Sequence, residues 1–177
     1  MKPSKLFIGA LLCITSLSAV AIEEDLLQKV EISAANQFAD IKNKRVVYGG
    51  PVTVTQGSLK LLADELTAYT EDKSGERILV AKGSPATYTQ KLEDGRQASA
   101  KAKEIHYNID SRIMTLIGQA KVEQDGSEVT AEKIVYDINK QQLEAESSGK
   151  GQDRVTTVIQ PENYQDLNKK EQQQEPQ

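Results

Sequence analysis

A degenerate internal repeat constrains this chain more than any other feature. Gly50-Pro51-Val52-Thr53-Val54-Thr55-Gln56, Gly83-Ser84-Pro85-Ala86-Thr87-Tyr88-Thr89-Gln90 and Gly118-Gln119-Ala120-Lys121-Val122-Glu123-Gln124 align, and their closing glutamines stand 34 residues apart each time. A second signature, Ala-x-x-apolar, recurs between them as Ala35-Asn36-Gln37-Phe38, Ala63-Asp64-Glu65-Leu66, Ala102-Lys103-Glu104-Ile105 and Ala131-Glu132-Lys133-Ile134. A fixed period means one supersecondary unit used several times. Such a unit cannot bury its apolar face alone, so the copies share a core. This favours a scaffold or a binding surface over a single assembled active site.

The unit reads as strand, turn, strand. Helix formers crowd residues 98–104 and 131–146, yet the apolar spacing has a period of two. Val52 and Val54 alternate with Thr53 and Thr55. Ile105, Tyr107 and Ile109 alternate with His106, Asn108 and Asp110, and Ile134, Tyr136 and Ile138 with Val135, Asp137 and Asn139. Val155, Thr157 and Ile159 do the same at the end. Alternation of this kind marks strands with one face buried and one wet. Turn residues punctuate it at Lys73-Ser74-Gly75, Glu93-Asp94-Gly95, Gln124-Asp125-Gly126, Asp110-Ser111 and Asn139-Lys140. The whole chain therefore reads as an all-β meander. Leu59, Leu61, Tyr88, Tyr107, Ile109, Val122, Tyr136 and Ile138 share one face, either as plain core or as the lining of an apolar groove. Periodicity does not separate the two.

The ends differ in character. Lys2 and Lys5 precede an apolar run from Leu6 to Leu17, too short to span a bilayer, and Ala19-Val20-Ala21 offers a signal-peptidase site. Residues 1–21 are expected to be a secretory signal peptide, residues 22–162 one β domain, and residues 163–177 a polar, mobile tail. Of 22 lysines and arginines, two leave with the leader, against 26 acids, so the exported domain carries a net charge of about −6. An acidic domain is a poor partner for nucleic acid. Cys13, the only cysteine, also leaves with the leader, which excludes disulfides and thiolate metal sites.

The chemistry is sparse. His106 is the only histidine and lies on the wet face between Ile105 and Tyr107, so no His or Cys zinc site can form. No G-x-S-x-G and no glycine-rich phosphate loop is present. Asp137-Ile138-Asn139 opens like a calcium loop but lacks the glycine and the terminal glutamate. The acids at Asp64-Glu65, Glu104 and Glu132 recur with the repeat and read as solvation. The expectation is a protein that is not an enzyme and uses no cofactor or metal.

Gly50 to Lys60, Ala63-Asp64-Glu65, Gly83 to Tyr88 and Arg154-Val155-Thr156-Thr157-Val158-Ile159-Gln160-Pro161 together resemble the OstA-like (LptA) family of periplasmic lipopolysaccharide-transport proteins. The resemblance spans residues 28 to 161. It implies an open, twisted antiparallel β-jellyroll whose apolar interior holds lipid A acyl chains in the periplasm. It implies a bridge of copies stacked head to tail between the membranes. Its neighbours would be an inner-membrane-anchored jellyroll partner (LptC-like) and an outer-membrane barrel partner (LptD-like). Carried over by motif, Val30, Ile32, Tyr88, Tyr107 and Ile109 face inward. With the alternation, the implied groove is Val30, Ile32, Val52, Val54, Leu59, Leu61, Tyr88, Tyr107, Ile109, Val122, Tyr136 and Ile138. The competing reading is a periplasmic adaptor with a fully packed core that acts only through strand edges.

An open jellyroll leaves unpaired backbone groups at both ends. Val30, Glu31 and Ile32 lie in the opening strand. Val155-Thr156-Thr157-Val158-Ile159 closes the domain, β-branched throughout, with no charge or proline among its residues. Both are expected to pair with other chains by β-augmentation.

Overall fold

The computed structural model describes residues 25, 27–92, 95–151 and 153–160. The leader 1–21, the turn residues 93 and 94 and the tail 163–177 lie outside them. The strands are β1 (Glu31–Ser33), β2 (Asn36–Asp40), β3 (Arg45–Gln56), β4 (Leu59–Thr70), β5 (Arg77–Lys91), β6 (Gln97–Asn108), β7 (Ile113–Gln124), β8 (Ser127–Asp137), β9 (Gln142–Glu146) and β10 (Thr156–Val158). All belong to one antiparallel sheet, in which β3 to β8 follow one another as a meander. The helix formers of 98–104 lie inside β6, because alternation against two neighbouring strands outweighs local propensity.

Each edge is shared by two short strands. β1 pairs with the C-terminal half of β3 and β2 with its N-terminal half. At the other edge β10 takes the N-terminal half of β8 and β9 the C-terminal half. Among the described residues the two edges do not pair with each other, so the sheet is open.

Both repeat signatures mark one line across this sheet. All five pairings from β3 to β8 shift register at the same latitude. On β4, β6 and β8 the shift is the Ala-x-x-apolar motif. Ala102 and Ile105 are both buried while Lys103 between them is exposed, and Ala63–Leu66 and Ala131–Ile134 behave alike. Two consecutive residues thus face outward between two that face inward, as at a β-bulge. On β3, β5 and β7 the same latitude carries Gly50, Gly83 and Gly118. Gly50 has φ +73°, and a Cβ there would lie 2.6 Å from the Ala35 Cβ.

The fourth copy of the motif is one residue out of phase with its expected position. Asn36 pairs with Gly49 in the outward row that holds Glu65, and Gln37 pairs with the inward Tyr48. Ala34 packs on the core, whereas Phe38 is 64% exposed. The structural counterpart is therefore Ala34-Ala35-Asn36-Gln37, with the break falling between β1 and β2.

The line divides the sheet into two halves. One, here the glutamine half, ends at Gln56, Gln90 and Gln124. The other, the tyrosine half, ends at the hairpins 41–44, 71–76, 109–112 and 138–141 and carries Tyr48, Tyr107 and Tyr136. Leu66 and Leu116 are 1% exposed, and Ala86, Ala102 and Ile134 are fully enclosed. A single flat layer cannot do this, and no second sheet or helix covers it among the described residues. The inner faces of the two halves cover one another, with residues of both in one core. Each of Leu66, Leu116 and Ile134 contributes about 1.5–3 kcal/mol by its burial.

Candidate functional site: the inner face and the open edges

The inner face is organised in rows that cross the strands. In the glutamine half one row runs Ile32, Val54, Leu61, Tyr88, Ala100, Val122, Val129, Thr157, each paired with the next and reaching from β1 to β10. In the tyrosine half a second row runs Ala39, Val46, Ala68, Leu79, Tyr107, Met114, Tyr136, Leu143, from β2 to β9. No side chain in either row is charged, and the two rows traverse the whole sheet between its open edges. Next to the midline the lining shrinks to Ala63, Ala86, Ala102, Ala120 and Ala131.

The groove residues expected from the sequence fall into three settings. Val52 and Val54 are 2% and 8% exposed and belong to the closed core. Ile32, Leu61, Tyr88, Tyr107 and Val122 are half-buried and pack against that core. Leu59, Ile109, Tyr136 and Ile138 are half-buried and in phase with the inward positions, nearer the two mouths. Val30 departs from its expected place: it precedes β1 and is 56% exposed. β1 begins one residue later, at Glu31 opposite Thr55.

The repeated glutamines form the rim of one mouth. Gln56, Gln90 and Gln124 are the last inward positions of β3, β5 and β7, which explains their constant spacing. Asp25 docks across this rim. Its carboxylate accepts from the Ser58 amide at 3.0 Å, the Ser58 hydroxyl at 2.5 Å and Gln90 Nε2 at 3.4 Å. The Ser58 hydroxyl and amide hold the Asp25 carboxyl below the usual carboxylate range. Gln56 Nε2 donates to the Gln28 carbonyl at 3.2 Å. Tyr88 donates to Gln90 Oε1 at 2.5 Å, which links the rim to the interior. Burial pushes the Tyr88 phenol well up, with Tyr107, Asp25 and Tyr136 adding to the shift. Tyr107 is also raised by burial, with Arg112 opposing. Nothing in the sequence pattern pointed to Asp25. Tyr48, inward and packed on the core, was visible in the Val46–Tyr48 alternation but was not singled out.

The opposite face is polar. His106 pairs across the ladder with Val80 and Thr115 and lies 2.9 Å from Glu104, which also meets Lys82 at 3.5 Å. The His106 hydrogen bond holds the Glu104 carboxyl low, with Lys82 assisting. These side chains line an outer concavity of about 640 Å³ together with Arg45, Glu65 and Thr67. Among the described residues no cluster of three or more His, Cys, Asp or Glu side chains is placed to hold a metal ion.

The edges are unequal. β9 presents Glu144 and Glu146 on its outer face, where Glu146 meets Lys133 at 3.3 Å. β10 has no charged residue. The closing strand expected over Val155–Ile159 is shorter, Thr156–Val158, and pairs with β8 in its own sheet through Thr156–Thr130, Thr157–Val129 and Val158–Glu128. β9 takes the other end of β8, Lys133 to Asp137, so the two short strands share this edge. Val155 and Ile159 flank β10 at 41% and 54% exposure. Glu31 in β1 meets Lys29 at 3.7 Å on the surface.

Comparison with known proteins places this architecture. A family model described as LptA/(LptD N-terminal domain) LPS transport protein matches residues 31–142. The lipopolysaccharide export system protein LptA of Haemophilus influenzae is 34% identical over 164 residues, covering 92% of this chain and 94% of that protein. Its Escherichia coli namesake is 32% identical over 166 residues, covering 93% and 89%. The crystal structure of LptH, described as the LptA-homologous periplasmic component of the lipopolysaccharide transport device of Pseudomonas aeruginosa, superposes with a TM-score of 0.69 at 35% identity. That match covers 78% of this chain and 99% of LptH. With its repeat, its open antiparallel sheet and these relatives, the chain belongs to the LptA/LptD N-terminal domain family of lipopolysaccharide-transport proteins.

Proposed function

We infer that this chain is a periplasmic lipopolysaccharide carrier, exported after loss of residues 1–21, whose inner face takes lipid A acyl chains. Copies stack head to tail into a bridge between the inner and outer membranes. The observation that carries this reading is the direction of the apolar rows. They run from one open edge to the other, so a copy docked at either edge extends the path instead of ending it. The names of the relatives point the same way.

Acyl chains would travel along the half-buried inward residues Leu61, Tyr88, Tyr107, Val122 and Tyr136, over the closed core formed by Val52 and Val54. Leu59, Ile109 and Ile138 line the mouths, and Ile32 begins the path at the edge. Each CH₂ taken from water gains about 0.8 kcal/mol. Equivalent environments along a row let a chain slide without leaving that gain. β1 and β10 are the joints, because each is three residues long and, among the described residues, leaves one side of its backbone unpaired. At the ends of the stack the same edges meet an inner-membrane-anchored jellyroll partner and the jellyroll domain of an outer-membrane barrel partner. The chain does no chemistry on its cargo.

The test uses residues 22–177 with a fluorescent acyl probe. Saturable probe binding that lipopolysaccharide displaces is expected, and the absence of any binding would favour the packed adaptor. Light scattering at rising concentration tests the joint. Removing 154–177 should stop chain growth, whereas removing 163–177 should leave it unchanged.

A further inference from the structure

The inner face has an unusual aromatic composition. Its large rings are Tyr48, Tyr88, Tyr107 and Tyr136, all tyrosine, while the described phenylalanine, Phe38, points outward. A dry core would favour phenylalanine, because a buried phenol hydroxyl needs a partner. Tyr88 has one in Gln90. Among the described residues the Tyr107 and Tyr136 hydroxyls have none. They are not sealed in either: the buried side-chain polar atom left without a partner is Ser111 Oγ. Both hydroxyls therefore keep some accessible surface, on side chains in phase with the inner face.

They also stand together. Tyr107 and Tyr136 occupy one row with Met114 between them. Two strand spacings put them about 10 Å apart. Tyr88, on the other half, lies close enough for both rings to disfavour its ionisation.

Resting on the carrier reading, we propose that Tyr107 and Tyr136 form a hydrogen-bonding station inside the apolar path that selects hydroxylated acyl chains over plain ones. A chain hydroxyl entering the path loses its water. Against aliphatic walls that loss is uncompensated, whereas a phenol both donates and accepts and so meets the chain oxygen in either role. The two stations, one on β6 and one on β8, let a chain pass its oxygen from one to the next along the row. They discriminate by the oxygen, not by chain volume.

The test is displacement of a fluorescent fatty-acid probe by tetradecanoate and by 3-hydroxytetradecanoate. Wild type, Tyr107→Phe, Tyr136→Phe and the double variant are compared, with melting recorded for each. Phenylalanine keeps the ring and removes only the oxygen, so a packing role would leave the ratio of the two affinities unmoved. Wild type should prefer the hydroxylated chain by about fivefold, the worth of one net hydrogen bond. Each single variant should lose part of that preference and the double variant all of it, read as the ratio of the two affinities within each variant. The single variants carry the test if the double variant does not fold. Equal binding of the two chains by wild type, or a preference that survives in the variants, would overturn the proposal. Failure of wild type to bind either chain would overturn the carrier reading together with this inference, and is told apart by the loss of plain-chain binding.

Discussion

The two halves of the sheet are made from the same six long strands yet are lined and edged differently. The tyrosine half presents Leu66, Leu79, Ile105, Met114, Leu116 and Ile134 with its rings. The glutamine half presents mainly alanines and valines, beside Ile32, Leu61 and Tyr88. Residues of both halves meet in one core. Edges follow the same division. The tyrosine half ends in five-residue strands, one of them guarded by Glu144 and Glu146, and the glutamine half in three-residue strands. One half holds the fold together, and the other leaves its ends available. The relatives identify a transport family, and this asymmetry suits the head-to-tail stacking proposed above.

The largest effect should come from a large side chain buried in the core. Leu116→Ala, in the tyrosine half, should cost about 2–5 kcal/mol, and Val122→Ala, half-buried in the glutamine half, about 1 kcal/mol. Urea midpoints of the two variants would show it. Equal losses would break the division between a holding half and an available half.

At the midline, Gly50→Ala should destabilise by more than the about 1 kcal/mol expected for Gly75→Ala. Both glycines have positive φ, +73° and +74°, but an added Cβ meets Ala35 at the first and open space at the second. Melting of the pair isolates the steric part. If the two variants melt together, the β1–β2 break does not press against the line between the halves.

The smallest effect concerns the rim. Asp25 is depressed in the folded chain, so its docking is complete above the ordinary carboxylate value of about 3.9 and is lost as pH falls through its lower folded value. Protection of the Ser58 amide from hydrogen exchange should be steady at neutral pH and drop only in acid. Asp25→Asn should lower the protection at neutral pH and flatten the acid drop. Unchanged protection would mean that the glutamine mouth is not held from outside.

Strand character, the shared face of Leu61, Tyr88, Tyr107 and Val122, and the outward place of His106 were all legible, because each follows from alternation within one strand. What alternation conceals is a change of phase. Ala63-Asp64-Glu65-Leu66 was readable as a repeated motif but not as the point where two residues face outward together. For the same reason Ala35 to Phe38 was aligned one residue late. The doubled edges were also hidden, since whether β9 or β10 takes a given half of β8 depends on pairing across the sheet. Asp25 meets Ser58 over 33 residues of chain with no pattern linking them. Residues 22–177 contain no cysteine, which makes the two faces directly addressable.

Single cysteines carrying a nitroxide label, placed at Tyr107 and Val122 on the inner face and at His106 and Glu123 beside them on the outer face, report each half once per side. On addition of lipopolysaccharide, a carrier predicts immobilised spectra at Tyr107→Cys and Val122→Cys and unchanged spectra at His106→Cys and Glu123→Cys. Equal responses on both faces, or a response confined to the outer face, would contradict the inner face as the path of the lipid.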